Sequence, residues 1–320
     1  MSRNHTDVMQ LYRIASMYYQ EGLTQKQIAA EENISRSQIS RLLEQARAAG
    51  VVEISVRMPE KISLSELKRD LVSRLRLRDA VIAPLAEGAG GDEAIDAVAT
   101  AAAAYLPREL KGCRTVGVGW GRTVYRMSCV LSHRTAEAEV TFVPLVGASG
   151  TDNPALQVNA IIDRMGERFR AHTYFISAPA FRESSDAPLP ELETKRLRRL
   201  RRYWKELDAA VIGIGAAPDV RRFFVSEVSP RFASQLRENG AVGDVLSQFY
   251  REDGSLVPEA PGYERTVFDA EALRRVPKVI CLAGGAGKAS SLVAAARAGY
   301  YNTLVTDSVT AGAIYETLRS

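Results

Sequence analysis

The residue sets best suited to chemistry are two glycine clusters and one polar helix face, and all three point to binding of anions. The first cluster is Thr115-Val-Gly-Val-Gly-Trp-Gly-Arg-Thr123, where an apolar run enters Gly119-Trp120-Gly121 and a helix starts near Thr123. Glycine lets a backbone approach a ligand closely. A helix N-terminus, the Thr123 hydroxyl and the Arg122 guanidinium could together hold a phosphate. Glycine-rich strand-to-helix turns also arise for steric reasons alone. The second cluster is Ala283-Gly284-Gly285-Ala286-Gly287-Lys288. It departs from a nucleotide-binding P-loop: Leu282 stands where that motif needs glycine, and Ala289 follows Lys288 where a magnesium-binding hydroxyl is needed. Lys288 remains a point charge for a phosphate at a helix start. Neither cluster is a dinucleotide fingerprint. The three cysteines, Cys113, Cys129 and Cys281, have no metal-ligand spacing, so neither cofactor nor metal is expected.

The third set lies near the start of the chain. Thr24 and Gln27 form one capping-box pattern, Ser35 and Gln38 a second, and Glu32-Asn33-Ile34 between them supplies a turn. Two short capped helices this close predict a helix-turn-helix, the unit that seats its second helix in the major groove. At about 100° per residue, Ile39, Leu42, Leu43 and Ala46 share one side of that helix and Arg36, Ser37, Ser40, Arg41 and Glu44 the other. Arginine can donate a bidentate pair to guanine, and serine can bond base edges or phosphates. The expected DNA-contacting set is Gln25, Ser35, Arg36, Ser37, Gln38, Ser40 and Arg41. The ordinary alternative is the solvated face of a helical hairpin. Gly50 ends the helix, and Val51 to Val56 alternates as a strand.

These sets need elements to position them. At 320 residues the chain is too long for one small binding module, and two domains are expected. No run is long and uncharged enough to span a bilayer, and the first ten residues, MSRNHTDVMQ, lack an apolar signal core, so a reducing cytoplasm fits. A net charge of +4 is too mild to argue for nucleic acid by itself. Pro59 suggests a boundary. Ser63 to Leu77 then reads as a helix with a Leu64, Leu67, Leu71, Leu75 stripe, either plain packing or a dimer seam. From Asp79 onward, strand candidates (80–83, 115–119, 139–145, 173–177, 209–214, 278–283, 303–306) alternate with helical stretches (92–105, 124–132, 157–168, 290–298, 309–318). That alternation predicts a mostly parallel sheet flanked by helices, an α/β fold. Gln248 to Val257 reads as a hairpin turning at Asp253-Gly254. Such sheets bind ligands at the carboxyl ends of their strands. Asp244 could there bond sugar hydroxyls or cap a turn, and Gln157 and Asn159, opening a helix, could do either job.

The segments SMYYQEGLTQKQIAAEENISRSQISRLLEQARAAGVVEI, VGVGWGRTV, FVPLVG, VIGIG, GAVGDVLSQFYREDG and ICLAGGAGKASSLVAAARAGYYNTLVTD recur in order in the SorC family of bacterial sugar-responsive transcription regulators, which this chain resembles from about Tyr12 to Ala313. The resemblance implies an N-terminal helix-turn-helix domain (1–57), a linker helix (58–78) and a Rossmann-like effector domain (79–320) related in fold to phosphosugar isomerases. It implies operator DNA, a phosphorylated sugar or polyol, and a homodimer or homotetramer, with no membrane partner. Carried over, the phosphate would meet Gly119, Gly121, Arg122 and Thr123, with Gly284, Gly285 and Lys288 from the second cluster. Gln157, Asn159 and Asp244 fall where the family's motifs line the pocket. Two departures stand out. The loop ASGTDNP (148–154) varies across the family and would set ligand identity. The run Lys195 to Lys205 holds seven basic residues in eleven. It reads first as a solvated helix packed through Leu197, Leu200 and Trp204, with a DNA-backbone or subunit contact as the alternative.

A rival class is a phosphosugar isomerase with an appended DNA module. Such chemistry needs a positioned base and a ring-opening acid. Only His5, His133 and His172 are available as histidines, and Asp244 or Asp307 could serve as base. The expectation is a regulator without catalysis.

Overall fold

Three capping boxes start three of the helices. Gln27 N–H donates to Thr24 Oγ1 at 3.4 Å while Thr24 N–H donates to Gln27 Oε1 at 2.9 Å. Ser35 and Gln38 repeat the exchange at 3.2 and 2.9 Å, and Ser63 and Glu66 at 3.2 and 3.0 Å. Each exchange satisfies backbone donors that a helix start leaves open. In the computed structural model, which describes residues 8–52, 63–86, 88–132, 139–150, 152–184, 186–216, 236, 238–258 and 263–319, the chain divides into two compact units, Met1–Lys61 and Ile62–Ser320.

The first unit holds α1 (Val8–Tyr19), α2 (Gln25–Glu31) and α3 (Arg36–Ala48). Asn33 takes the left-handed conformation (φ 53°) that turns the chain between α2 and α3, a role short polar side chains tolerate. Ile14, Met17, Ile28, Ile39 and Leu43 form the core, and Leu11, Ala15 and Ala46 a second cluster on which Val51 and Val52 pack. Leu42, expected on the apolar side, is half-buried. The strand expected over Val51–Val56 is not formed at Val51 and Val52, and its remainder lies outside the described residues.

In the second unit, α4 (Leu64–Arg74) is followed by β1 (Asp79–Ala83), α5 (Gly91–Glu109), β2 (Thr115–Val118), α6 (Arg122–Val130), β3 (Thr141–Pro144), α7 (Val158–Phe169), β4 (His172–Thr173) and β5 (Phe181–Glu183). Then come α8 (Glu191–Lys205), β6 (Ala209–Ile212), β7 (Ile214–Ala216), β8 (Gly243–Val245), β9 (Gln248–Tyr250), β10 (Tyr263–Arg265), β11 (Lys278–Leu282), α9 (Ala289–Arg297), β12 (Thr303–Asp307) and α10 (Ser308–Thr317). Helix α4 stops at Arg74, short of the expected Leu77, and Arg76 turns the chain at φ 53°. Its Leu67, Leu71 and Leu75 are buried against this unit, whereas Leu64 is exposed, so the leucine stripe is core packing rather than a free seam.

Among the described residues, seven parallel strands form one sheet in the order β1-β12-β11-β6-β2-β3-β4. From β2 the chain steps outward to β3 and β4; from β6 it steps the other way to β11 and β12. The reversal falls between neighbours β2 and β6. Because parallel crossovers are right-handed, helices on either side of such a reversal cover opposite faces. Accordingly α5, α6 and α7 pack side by side, and α9, α10 and α4 form another contiguous set. Two sequence expectations change. Of the 173–177 candidate only Thr173 pairs, with His172 ahead of it, and 209–214 splits at Gly213 into β6 of the main sheet and β7 of a separate three-stranded sheet, β7-β8-β9. The expected hairpin is present: Tyr250 bridges Leu256 and Gly254 turns at φ 81°.

Candidate functional site: a cleft at the sheet reversal and a capped recognition helix

An open α/β sheet leaves a crevice where its strand order reverses, at the carboxyl ends of the strands. Here that crevice lies above β2 and β6, with β11 next to β6. Gly119, just past β2, donates its N–H to Val211 O of β6 at 2.9 Å. A β-carbon there would come within 2.8 Å of Leu246 Cδ2, so the residue must be small. Gly121 has φ 126°, donates to Ala155 O at 2.8 Å, and precedes α6 without a side-chain cap. Gly121 has no side chain to cap α6, and the start of a helix favours an anion through its N–H groups and dipole. Arg122 is half-exposed and lies 3.5 Å from Asp92. The Asp92 contact is a partner the sequence reading missed, and its only signal was an acidic residue opening α5. Thr123 is buried.

The second cluster follows β11. Gly285 (φ 107°) has open space on its Cα side, and its N–H donates to Thr310 Oγ1 at 2.7 Å and Asp307 Oδ2 at 3.2 Å. Gly284 is glycine for packing: a β-carbon would meet Ala94 O at 2.9 Å and Asp307 Oδ2 at 3.0 Å. Lys288 ends a short 3-10 turn (Ala286–Lys288) ahead of α9. Desolvation holds its ammonium below the usual range, nearby Arg122 acts the same way, and Cys281 and Asp244 act against them. Those couplings bring Arg122, Asp244 and Lys288 to one locality. Asp244 lies on β8 opposite Gly215 of β7, and its carboxylate fills the space where a Gly215 side chain would stand, 1.9 Å from that β-carbon position. Burial pushes the Asp244 carboxyl up to about 6, with Lys288 and the Ser247 backbone N–H acting against the shift. Leu246 and Ser247 make the tight turn after β8 with φ 49° and 63°, values uncommon for such residues, and the buried Ser247 hydroxyl finds no hydrogen-bond partner among the described residues.

Other expected residues are placed differently. Asn159 commits its amide to the chain itself: Nδ2 donates to Ile176 O at 2.8 Å and Oδ1 accepts from Ile176 N at 3.3 Å. Gln157 stands at the N-cap position of α7 without a side-chain cap bond and is half-buried, two residues beyond the Ala155 carbonyl that holds Gly121. Asp307 is fully buried; its Oδ1 accepts from Thr310 N at 2.7 Å and its Oδ2 from Thr310 Oγ1 at 2.6 Å, which makes it the N-cap of α10. His172 is exposed on the edge strand, while His5 and His133 lie outside the described residues. Among the described residues, no cluster of metal-ligating side chains exists and no helix is long and apolar enough to cross a membrane.

In the first unit, Arg36, Ser37 and Arg41 are exposed on one side of α3, Ser40 and Gln25 are half-buried, and Ile39, Leu43 and Ala46 are buried on the other side. Arg36 and Ser40, and Ser37 and Arg41, are four residues apart and so share a face. Ser35 and Gln38 are occupied with the cap, and Ser35 Oγ lies 2.9 Å from Ser37 Oγ.

A capped two-helix reader in one unit and an open parallel sheet with a cationic cleft at its reversal in the other define a transcription regulator with a ligand-binding body. The comparisons agree. Residues 60–316 match the family described as "Putative sugar-binding domain" and residues 1–49 match Sigma-70, region 4. The chain is 30% identical to the sorbitol operon regulator of Klebsiella pneumoniae, over 96% of this chain and 98% of that one. It is 27% identical to the deoxyribonucleoside regulator of Bacillus subtilis, over 95% and 96%. The crystal structure of the full-length Klebsiella regulator superposes with a TM-score of 0.69 at 28% identity, covering 96% of this chain and 99% of that one. The chain belongs to the SorC family of sugar-binding transcriptional regulators. It is a DNA-binding regulator of the sugar-responsive type, built from a helix-turn-helix and a parallel α/β sugar-binding domain.

Proposed function

We propose that this regulator controls genes of carbohydrate or polyol metabolism and that its effector is a phosphorylated sugar or polyol. One observation carries the phosphate: Arg122 and Lys288 converge at the sheet reversal, where α6 begins without a side-chain cap. A phosphate would return to Lys288 the charge solvation that burial removes. Asp244, an anion in the same locality, would repel the phosphate and so faces the hydroxyl end of the ligand. The set Gly119, Gly121, Arg122, Thr123, Gly285 and Lys288 is assigned to phosphate, and Gln157 and Asp244 to the polyol. Asn159 and Gly284 are assigned indirect roles, holding the α7 start and the β11 loop. The names of the relatives, a sorbitol operon and a deoxyribonucleoside regulator, support an effector of the sugar type.

On the DNA side, Gln25, Arg36, Ser37, Gln38, Ser40 and Arg41 read or clamp the operator, with Ser35 preparing the helix start. We assign residues 1–57 to DNA, 58–78 to the connection and 79–320 to the effector, and we place the protein in the cytoplasm as a homodimer or homotetramer. Two reading helices would then need half-sites about 34–36 Å apart or a multiple of that. The test is operator binding, by fluorescence anisotropy on the protein's own upstream DNA, across pentose, hexose and pentitol phosphates and their unphosphorylated forms. The expected result is a response to one phosphorylated compound that Lys288→Ala abolishes. A response to free sugar alone, retained in Lys288→Ala, would sink the phosphate assignment.

A further inference from the structure

The fold leaves one feature unexplained, the cationic face of α8. Seven of its fifteen residues are basic and two are acidic. The whole chain has 42 basic and 38 acidic residues, so everything outside α8 has 35 and 36, a net charge of −1. The helix, with seven basic and two acidic residues, carries a net charge of +5 against −1 for the rest of the chain. At 100° per residue, Lys195, Arg198, Arg199, Arg201, Arg202 and Lys205 fall within one half of its circumference, and all are exposed. Lys195 pairs with Glu191 at 2.7 Å and Arg196 with Glu193 at 2.9 Å, both at the start of the helix. Among the described residues, no carboxylate pairs with Arg198, Arg201, Arg202 or Lys205. Lys195–Arg199, Arg198–Arg202 and Arg201–Lys205 are like-charged pairs at i, i+4, a spacing that weakens a helix. Solubility does not require that arrangement.

The face is also rigidly mounted. Leu200 is buried, and Trp204 Nε1 donates to Pro144 O at 2.8 Å, which ties α8 to the end of β3. Arg199 lies over the rings of Tyr174 (5.7 Å) and Tyr203 (6.0 Å), and Tyr174 Oη donates to Arg196 O at 2.8 Å. Beside this stack runs a groove of about 620 Å³ lined by Lys195, Arg198, Arg199, Arg202 and Tyr203, with Glu206 its one acidic wall. A second copy of the same face is a poor occupant, because a two-fold contact would set like charges opposite each other. An acidic polymer is a good one.

We infer that this face of α8 is a second DNA contact, taking the sugar-phosphate backbone of the duplex that α3 reads. The inference rests on the reading that the protein binds DNA. Lys195 to Lys205 spans about 15 Å at 1.5 Å per residue. A duplex presents about nine phosphates over that length, at one per ~1.7 Å of axis. Three or more guanidiniums can therefore meet phosphates without any base contact, and the surface carries no sequence preference of its own.

The experiment measures the affinity of the full chain for its upstream duplex and for a random duplex between 50 and 200 mM salt. The variants are R198Q/R201Q/R202Q, the charge-retaining R198K/R201K/R202K, the single R201Q, and R36A/R41A on α3. Each backbone contact contributes about −0.9 to the slope of log K against log salt. The triple Gln variant is expected to lose two to three units of slope on both duplexes, so that wild-type affinity falls about forty-fold more steeply than the variant's across this range. R201Q is expected to lose close to one unit, and the Lys variant none. R36A/R41A is expected to lose the preference for the upstream duplex and keep the α8 share of the slope. An unchanged slope in both Gln variants overturns the inference while leaving the α3 reading intact. So does a slope unchanged alongside a smaller assembly by light scattering, which would mark the face as a contact between protein copies. If R36A/R41A keeps full preference for the upstream duplex, the α3 reading fails instead.

Discussion

The Asp244 carboxylate rests where a Gly215 side chain would stand, so the two residues form one unit. In Gly215→Ala the new methyl group would displace the carboxylate, and effector affinity should fall about as far as in Asp244→Ala. The double variant should be no worse than Asp244→Ala, because residues acting through one contact are not additive. Calorimetric titration of the three proteins checks this, and additive losses would separate the residues. The same carboxyl carries a pH signature. Its folded pKa is raised from 3.8 to about 6. Between those values the native state binds more protons than the unfolded state, so Asp244 makes stability fall as pH rises from about 4 to 6. Asp244→Asn should therefore be more stable than wild type at pH 7, by no more than about 3 kcal/mol, the equivalent of a two-unit shift. The difference should vanish near pH 4. Urea titration at pH 4, 5.5 and 7 reads it, and an advantage independent of pH would assign the gain to something other than charge.

Asp307 shows why an element must be known before a residue is given a role. In the sequence it stands at a strand end and invites the reading of a general base; in the fold it caps α10 and holds the Gly285 loop through the same carboxylate. Asp307→Ala should cost about 2–4 kcal/mol, a lost cap plus buried donors left without a partner. Urea denaturation checks it, and a loss below about 0.5 kcal/mol, the lower end for a helix cap, would deny the cap its importance. In the first unit, Ser35→Ala should destabilise α3 by about 1 kcal/mol. These caps were legible because a hydroxyl followed three residues later by Gln states a local geometry in a local code. Four of the parallel strands, β2, β3, β6 and β11, were legible for the same reason, as apolar runs leading into glycine. What the sequence hid is non-local. The 209–214 run looks like one strand, yet the chain leaves the main sheet at Gly213, where a β-carbon would stand 3.4 Å from Trp120 O. Asn159 looks like a ligand residue because nothing nearby in sequence reveals that Ile176 will occupy its amide. Glu66, which completes the cap of α4, follows the same local code at Ser63 and was within reach of the sequence.

At the scale of the whole molecule, the regulator must convert occupancy of one cleft into a change of grip on DNA. A ligand can do this only to the extent that it binds one state of the protein better than another. The coupling is then reciprocal: the factor by which saturating effector changes operator affinity equals the factor by which saturating operator changes effector affinity, commonly about 5–150-fold. Measuring both factors tests more than the presence of control. A compound turned over at the cleft is a substrate, and its apparent affinity mixes binding with chemistry, for which no such equality holds. Asp244 is the group to watch, since a carboxyl titrating near 6 could exchange a proton with a sugar as well as bond to its hydroxyls. For the effector we expect equal factors within experimental error, with the compound recovered unchanged after the titration. Equal factors that persist in Asp244→Asn with weaker binding on both sides would assign Asp244 to recognition alone. Unequal factors with conversion of the compound would return the cleft to the isomerase reading.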